Sequence, residues 1–138
     1  MTKKLDNIDR RILDVLQRDG SMTQREVADQ VGLSQNACWR RLRHLEETGV
    51  LRGTRAIVDA KAFGLDLTVF VMIKTRNHSM DWSEDFRKHI EHIPEVIEFH
   101  RIGGDWDYLL KILTDGMAGY DKVYRQIITG FDLDTVTG

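Results

Sequence analysis

Asn36, Arg40 and Arg43 form the row of side chains in this chain best suited to a chemical task. Spaced at about 100° per residue on a helix, the three share one face with Glu47, while Cys38, Leu42 and Leu45 share the opposite, core-facing one. Amide and guanidinium groups in such an outward row carry the donors that read adenine and guanine edges in a major groove. Trp39 and His44 flank the row. An exposed tryptophan beside two arginines gains nothing from solvent alone. Arg41 falls nearer the core edge, which leaves it two roles, a structural ion pair or a phosphate contact. A solvated helix face is the bland alternative for the whole row.

The second constellation is Gly103-Gly104-Asp105-Trp106-Asp107-Tyr108. A glycine-rich turn between two strands is usually only a hairpin. Here two carboxylates, a tryptophan and a tyrosine stand beside exposed backbone amides, a set that also suits a small zwitterion. The amides take an α-carboxylate, Asp105 or Asp107 takes an α-ammonium, and Trp106 and Tyr108 offer apolar walls, unless strand alternation, which puts both on one side, turns them into the core. Cys38, in helical phase with Leu42 and Leu45, reads as a small buried hydrophobe rather than a reactive thiol. His89 and His92, with Asp85 one turn earlier, lack the further ligands a metal centre needs and read as a polar helix face. There is no phosphate-binding loop, no acyl-transfer nucleophile motif and no strongly spaced acid/base pair. Nothing local demands catalysis, a cofactor or a metal.

The elements that must position these groups follow from composition and pattern. Of 138 residues, 41% are hydrophobic and 30% charged, a globular balance that is neither disordered nor membrane-embedded. The longest apolar run, Val69 to Ile73, is far too short to span a bilayer. The single cysteine excludes an intramolecular disulfide framework, and Met-Thr-Lys-Lys opens into polar residues rather than a signal peptide. Both features predict a cytoplasmic protein. Net charge is −2, but it is unevenly spread. Residues 1–60 hold eleven Lys and Arg against nine Asp and Glu, and residues 61–138 hold nine against thirteen. Five arginines and His44 lie between Arg40 and Arg55. A locally basic front and an acidic back fit a nucleic-acid module carried on something else.

Asp6 caps a first helix with Leu5, Ile8, Ile12 and Leu16 along its buried stripe, and Asp19-Gly20 ends it. Thr23 and Glu26 form a capping box for a short second helix, Gly32 supplies the turn, and Ser34 caps a third helix running to about Thr48. The small residue at Ala28 allows the two helices to cross closely. This is a helix-turn-helix pattern, with a plain helical hairpin as the alternative. Val50 to Asp59 reads as a strand and linker. Then follow a strand over 67–76, a helix over 81–93 stopped by Pro94, a strand over 96–102, a strand over 106–114, a helix over 117–129 and the beginning of a strand at 134–138. In the third of these, Ile97, Phe99 and Arg101 are expected to share one face. The predicted fold is α+β. A helix-turn-helix domain (1–50) is followed by strand and linker (51–64) and a ferredoxin-like βαββαβ domain (65–138) with a truncated last strand. Helices cover only one face of that sheet, so the other face is the expected dimer surface.

The motifs, taken in order, are Asp6-x-x-Asp9-x-x-Ile12-Leu13, Leu16-Gln17-x-Asp19-Gly20, Val31-Gly32-Leu33-Ser34, Cys38-Trp39-Arg40-Arg41-Leu42-x-x-Leu45-Glu46-x-x-Gly49-Val50, and Gly104-Asp105-Trp106-Asp107-Tyr108-Leu109-Leu110-Lys111. In this order and spacing the chain resembles the leucine-responsive regulatory protein/AsnC (feast/famine) family nearly end to end. The resemblance implies a transcriptional regulator that binds double-stranded DNA. It also implies a second domain that pairs chains into dimers, further assembly into octamers, and amino acids bound between dimers. Near the Cys-Trp-Arg-Arg stretch it is most similar to the branch that handles cysteine or other small amino acids. The residues put forward as DNA contacts are Thr23, Gln24, Ser34, Gln35, Asn36, Trp39, Arg40, Arg41 and Arg43. Those put forward as effector contacts are Gly103, Gly104, Asp105, Trp106, Asp107 and Tyr108. Members of the family usually carry a full final strand, whereas this chain stops at Gly138, so a wall of the effector pocket is expected to be missing. Sirohaem decarboxylases resemble the same two-part architecture, and His100 and Arg101 invite that enzymatic reading. A ligand-binding module without DNA contact is a third. The intact Thr23 to Ser34 motif and the outward polar row favour the regulator.

Overall fold

Asp6 and Asp9 open α1 (Asn7–Arg18) of the computed structural model, which describes residues 4–138. The Asp6 carboxylate accepts the Asp9 N–H at 2.8 Å, and the Asp9 carboxylate accepts the Asp6 N–H at 3.3 Å, a reciprocal cap. Thr23 and Glu26 cap α2 (Gln24–Val31) in the same way, at 3.2 and 2.8 Å. Gly32 leaves α2 at φ +72°, a conformation that only glycine adopts without strain. Ser34 then caps α3 (Gln35–Glu47) by accepting the Ala37 N–H at 3.2 Å. Ile12, Val27, Ala28, Val31, Cys38, Leu42 and Leu45 form the core of this unit, with Leu5, Ile8, Leu16 and Leu51 packed around it. Ala28 is buried within this core.

The strand expected after α3 does not form. Leu51 donates its N–H to the Leu45 carbonyl at 2.9 Å, and residues 52–59 then run without secondary structure to a 3₁₀ turn at Ala60–Phe63. The segment is extended, but among the described residues no neighbouring strand offers the carbonyl and amide partners that would make it one. Ile57 is consequently fully exposed. The chain divides into two compact units between Ile57 and Val58.

The second unit has the order β1 (Leu67–Thr75), α4 (Met80–Glu91), β2 (Val96–Arg101), β3 (Tyr108–Thr114), α5 (Met117–Ile128) and β4 (Leu133–Thr137). The strands lie side by side as β2-β3-β1-β4, every pair antiparallel, which is the ferredoxin-like arrangement. Val71, Ile73, Tyr108, Leu110 and Ile112 point from the central strands onto Phe86, Ile90, Val123 and Ile127 of the two helices. The last strand is five residues long and pairs with β1 from Leu133 to Thr137.

Two local readings change. A register shift between Val96 and Glu98 breaks the alternation of β2. Val96 and Phe99 therefore both pack on the core, and Ile97, expected beside Phe99, is left 49% exposed. The strand expected from Trp106 begins at Tyr108, because Trp106 and Asp107 belong to the preceding loop. On the face of the sheet away from the helices, Thr68, Phe70 and Met72 of β1 stand opposite Leu113, Lys111 and Leu109 of β3. Phe70 is 57% exposed there, with the Lys111 ammonium 5.8 Å from its ring centre and 3.5 Å from the Glu98 carboxylate.

Candidate nucleic-acid interface and effector loop

The outward row of α3 is present as a surface: Gln35, Asn36, Arg40, Arg43 and Glu47 are all exposed. The tryptophan has a visible reason for its place. The Arg43 guanidinium lies 5.7 Å from the centre of the Trp39 ring, and its other side is 3.5 Å from the Glu47 carboxylate. Stacking on an aromatic face orients a guanidinium that would otherwise sample many rotamers. Arg40 forms no ion pair among the described residues and projects freely. Thr23 and Ser34 are exposed at the N-termini of α2 and α3, beside Gln24 and Gln35. Each hydroxyl accepts a backbone amide as a cap and keeps its own proton for another acceptor.

Arg41 differs from the rest of the proposed DNA contacts. Its Nη1 donates to Asp6 at 2.6 Å and to Asp9 at 3.1 Å. This guanidinium, with the Asp9 N–H, holds the Asp6 carboxyl below its ordinary value. Of the two roles open to Arg41, the structure contains the ion pair, so it is not a free cation of the reading face. The signal was available in part: two aspartates three apart at one helix start have room for an arginine that the core face turns inward.

The Gly103 to Tyr108 stretch splits into a free tip and a fastened base. Gly103, Gly104 and Asp105 are exposed, with Gly104 at φ +91°, and Trp106 is half-buried. At the base, the Asp107 N–H donates to the Ile73 carbonyl at 2.9 Å, and the Asp107 carboxylate accepts the Thr75 N–H at 2.8 Å. His78 Nδ1 lies 3.7 Å from its other oxygen. Tyr108 is only 4% exposed; its hydroxyl shares a hydrogen bond of 3.0 Å with Ser83, and its ring packs on Phe86 and Phe99. Two expectations are corrected accordingly. Tyr108 is a core side chain, not an apolar wall for a ligand, and Asp107 is tied to β1 rather than open to an ammonium. Thr75 and His78, which meet this loop from another part of the chain, were missed because only strand register brings them there.

The remaining candidates take ordinary places. The Gln126 carbonyl accepts from His89 Nε2 at 2.6 Å, and the Lys88 carbonyl accepts from His92 Nδ1 at 2.6 Å. No group of three potential metal ligands gathers among the described residues. Cys38 is buried, and burial pushes its thiol pKa up, away from reactivity. His100 donates to Glu98 at 3.0 Å on the open sheet face, and Arg101 is exposed. No described helix is long and apolar enough to cross a membrane.

A capped helix-turn-helix with an outward polar row, joined in sequence to an antiparallel βαββαβ unit with an exposed glycine-rich tip, defines a DNA-binding regulator with a ligand-binding domain. Residues 5–52 match the family described as winged helix-turn-helix DNA-binding, and residues 68–137 match the Lrp/AsnC ligand binding domain. The chain belongs to the Lrp/AsnC family of transcriptional regulators. It is 43% identical over 137 residues to the glutamate uptake regulatory protein of Zymomonas mobilis, covering 99% of this chain and 84% of that one. Among solved structures, an AsnC family transcriptional regulator from Agrobacterium tumefaciens superposes with a TM-score of 0.92 at 39% identity, covering 96% of this chain and 87% of that one. A Neisseria meningitidis transcriptional regulator solved as its L-Met complex superposes with a TM-score of 0.90 at 30% identity, covering 97% and 87%.

Proposed function

We propose that this chain is a cytoplasmic, non-enzymatic, sequence-specific regulator that reads duplex DNA as a symmetric homodimer and responds to a small amino acid. Asn36, Arg40 and Arg43 read base edges, with Thr23, Gln24, Ser34, Gln35 and Trp39 placing α2 and α3 on the backbone. The observation that carries this reading is the exposed Arg40, free of any ion pair among the described residues, on the outward face of a capped third helix. Selection from a random duplex library tests it. Enrichment of a two-fold symmetric motif is expected, and equal retention of all duplexes overturns it.

The uncovered sheet face supports the dimer. Phe70, Met72, Leu109 and Leu113 make an apolar strip that a second copy covers. Phe70→Glu removes the exposed ring and puts a carboxylate opposite Lys111 that a second copy would have to desolvate, and is expected to weaken dimerisation at least about tenfold. Light scattering at micromolar concentration should find a dimer for the natural chain and a monomer for the variant. A monomeric natural chain ends this reading.

The effector site is the tip, Gly103 to Trp106, at a surface shared by two dimers in an octamer. An amino acid's carboxylate meets the free amides and its ammonium meets Asp105. The support is the exposed tip, together with the amino acids in the names of two similar proteins, glutamate for the Zymomonas regulator and methionine for the Neisseria complex. Calorimetry with glutamate, methionine and other amino acids should find one ligand. Asp105→Ala should weaken it about tenfold, the value of a lost charge-assisted hydrogen bond. Unchanged binding in that variant would place the site elsewhere.

A further inference from the structure

Arg41 is the one arginine of the α3 cluster that points away from the reading face, yet it is held more firmly than the others. Both of its partners are themselves fixed. Asp6 is the N-cap of α1 and its carboxylate already accepts the Asp9 N–H; Asp9 returns that bond to the Asp6 N–H, and its side chain is only 12% exposed. A single planar Nη1 that reaches two carboxylates, at 2.6 and 3.1 Å, has both of its N–H directions taken and is restricted in angle as well as in distance. The two carboxylates stand at the start of α1, and Arg41 stands in the middle of α3, next to Arg40. A groove lined by Lys4, Ala37, Arg40 and His44 surrounds the pair.

From this geometry we infer that Arg41 is a positioning residue for sequence reading: it ties α3 to the α1 capping box and sets the rotation of α3 about its axis, and with it the aim of Arg40. The inference rests on the DNA-reading assignment above. The ion pair is partly exposed, with Arg41 at 32% and Asp6 at 53%, and pairs of that kind add little to the stability of a fold. Its worth lies in angle. A guanidinium reads a guanine edge only when held within about 0.5 Å and 10–20° of the productive geometry. Rotating α3 by more than that would misdirect Arg40 while leaving the charge available to phosphates unchanged. The expected signature is lost discrimination with retained general affinity, which neither a plain stability defect nor a plain phosphate contact produces.

The experiment compares the full chain with Arg41→Lys and with Asp6→Asn. Lysine keeps the charge but loses the planar amino group whose two hydrogens are aimed at the two carboxylates; asparagine keeps the cap but gives up one of the two anchors. Each protein is titrated over a salt series with the duplex that the natural chain selects from a random library and with a scrambled duplex of the same composition. Thermal unfolding is followed in parallel. For Arg41→Lys, affinity for the scrambled duplex should stay within about twofold and the salt slope should not change, while affinity for the selected duplex falls about tenfold. Asp6→Asn should lower the selected-to-scrambled ratio about threefold, because Asp9 still holds Arg41. A folded Arg41→Lys chain with an unchanged ratio overturns the inference. So does an equal loss on both duplexes with a shallower salt slope, which would make Arg41 a phosphate contact. If Arg41→Lys does not fold, Asp6→Asn decides by the same ratio. A natural chain that enriches no sequence at all overturns the reading face itself, and the brace with it; that failure is seen in the unmutated protein and is distinct from the others.

Discussion

Phe86→Ala is expected to destabilise the second unit by about 3–5 kcal/mol, the range for emptying a fully enclosed aromatic site. Phe86 has no exposed surface, and four rings close around it. Trp82 stacks on it at 5.0 Å between ring centres, Phe131 meets it edge-on at 5.2 Å, and Tyr108 and Phe99 lie at 5.3 and 6.2 Å. These rings come from α4, the loop before β4, and strands β2 and β3, so the cavity would sit where every layer of the unit meets. Whole domains are stable by only about 5–15 kcal/mol, so this one change removes a large share. Denaturant unfolding followed by near-ultraviolet circular dichroism, which reports Trp82 and Tyr108, is the measurement. A loss below about 1 kcal/mol would mean that the site collapses around the missing ring.

Arg40→Ala is expected to cost about 1–3 kcal/mol on the preferred duplex, or roughly fivefold to 150-fold in affinity, and to relax the preference at one position in each half-site. Arg40 is the better choice than Arg43 for this test. Arg43 is held between the Trp39 ring and Glu47, so its removal would also free Trp39 and leave Glu47 unpaired. Arg40 has no such partners among the described residues, and its loss reports the DNA contact alone. Anisotropy titrations on the preferred duplex and on single-base variants of it separate base reading from charge. A uniform loss on every sequence with a smaller salt slope would assign Arg40 to phosphate, and unchanged binding would remove it from the interface.

What could be read from the sequence is the chemistry that acts over a few residues. The caps at Asp6, Thr23 and Ser34, the turn at Gly32 and the stripes of α1 to α5 follow from contacts one helical turn apart. The order of strands followed from the alternation of helix and strand patterns. What was hidden depended on residues far apart in sequence. Nothing near Val96 announces the register shift in β2, because it is set by how that strand lies along β3. Asp107 looks like a free carboxylate until β1 is placed beside it with the Thr75 N–H unpaired. Residues 52–59 read as an extended segment in sequence, yet no strand pairs with them among the described residues. Arg41 lay at the border between the two kinds of information. Its angle on the helix was legible, and its partners, more than thirty positions earlier, were not.

The two hydrogen bonds that hold Asp107 to Ile73 and Thr75 give the hairpin a fulcrum. The tip from Gly103 to Trp106 holds two glycines and is exposed from Gly103 to Asp105, whereas Asp107 is bonded to β1 through both its backbone and its side chain. β1 is the strand whose opposite side bears Phe70 and Met72. The base of the hairpin and the strand that carries the apolar strip are thus one hydrogen-bonded piece, and only the tip beyond Asp107 is a loop in its own right.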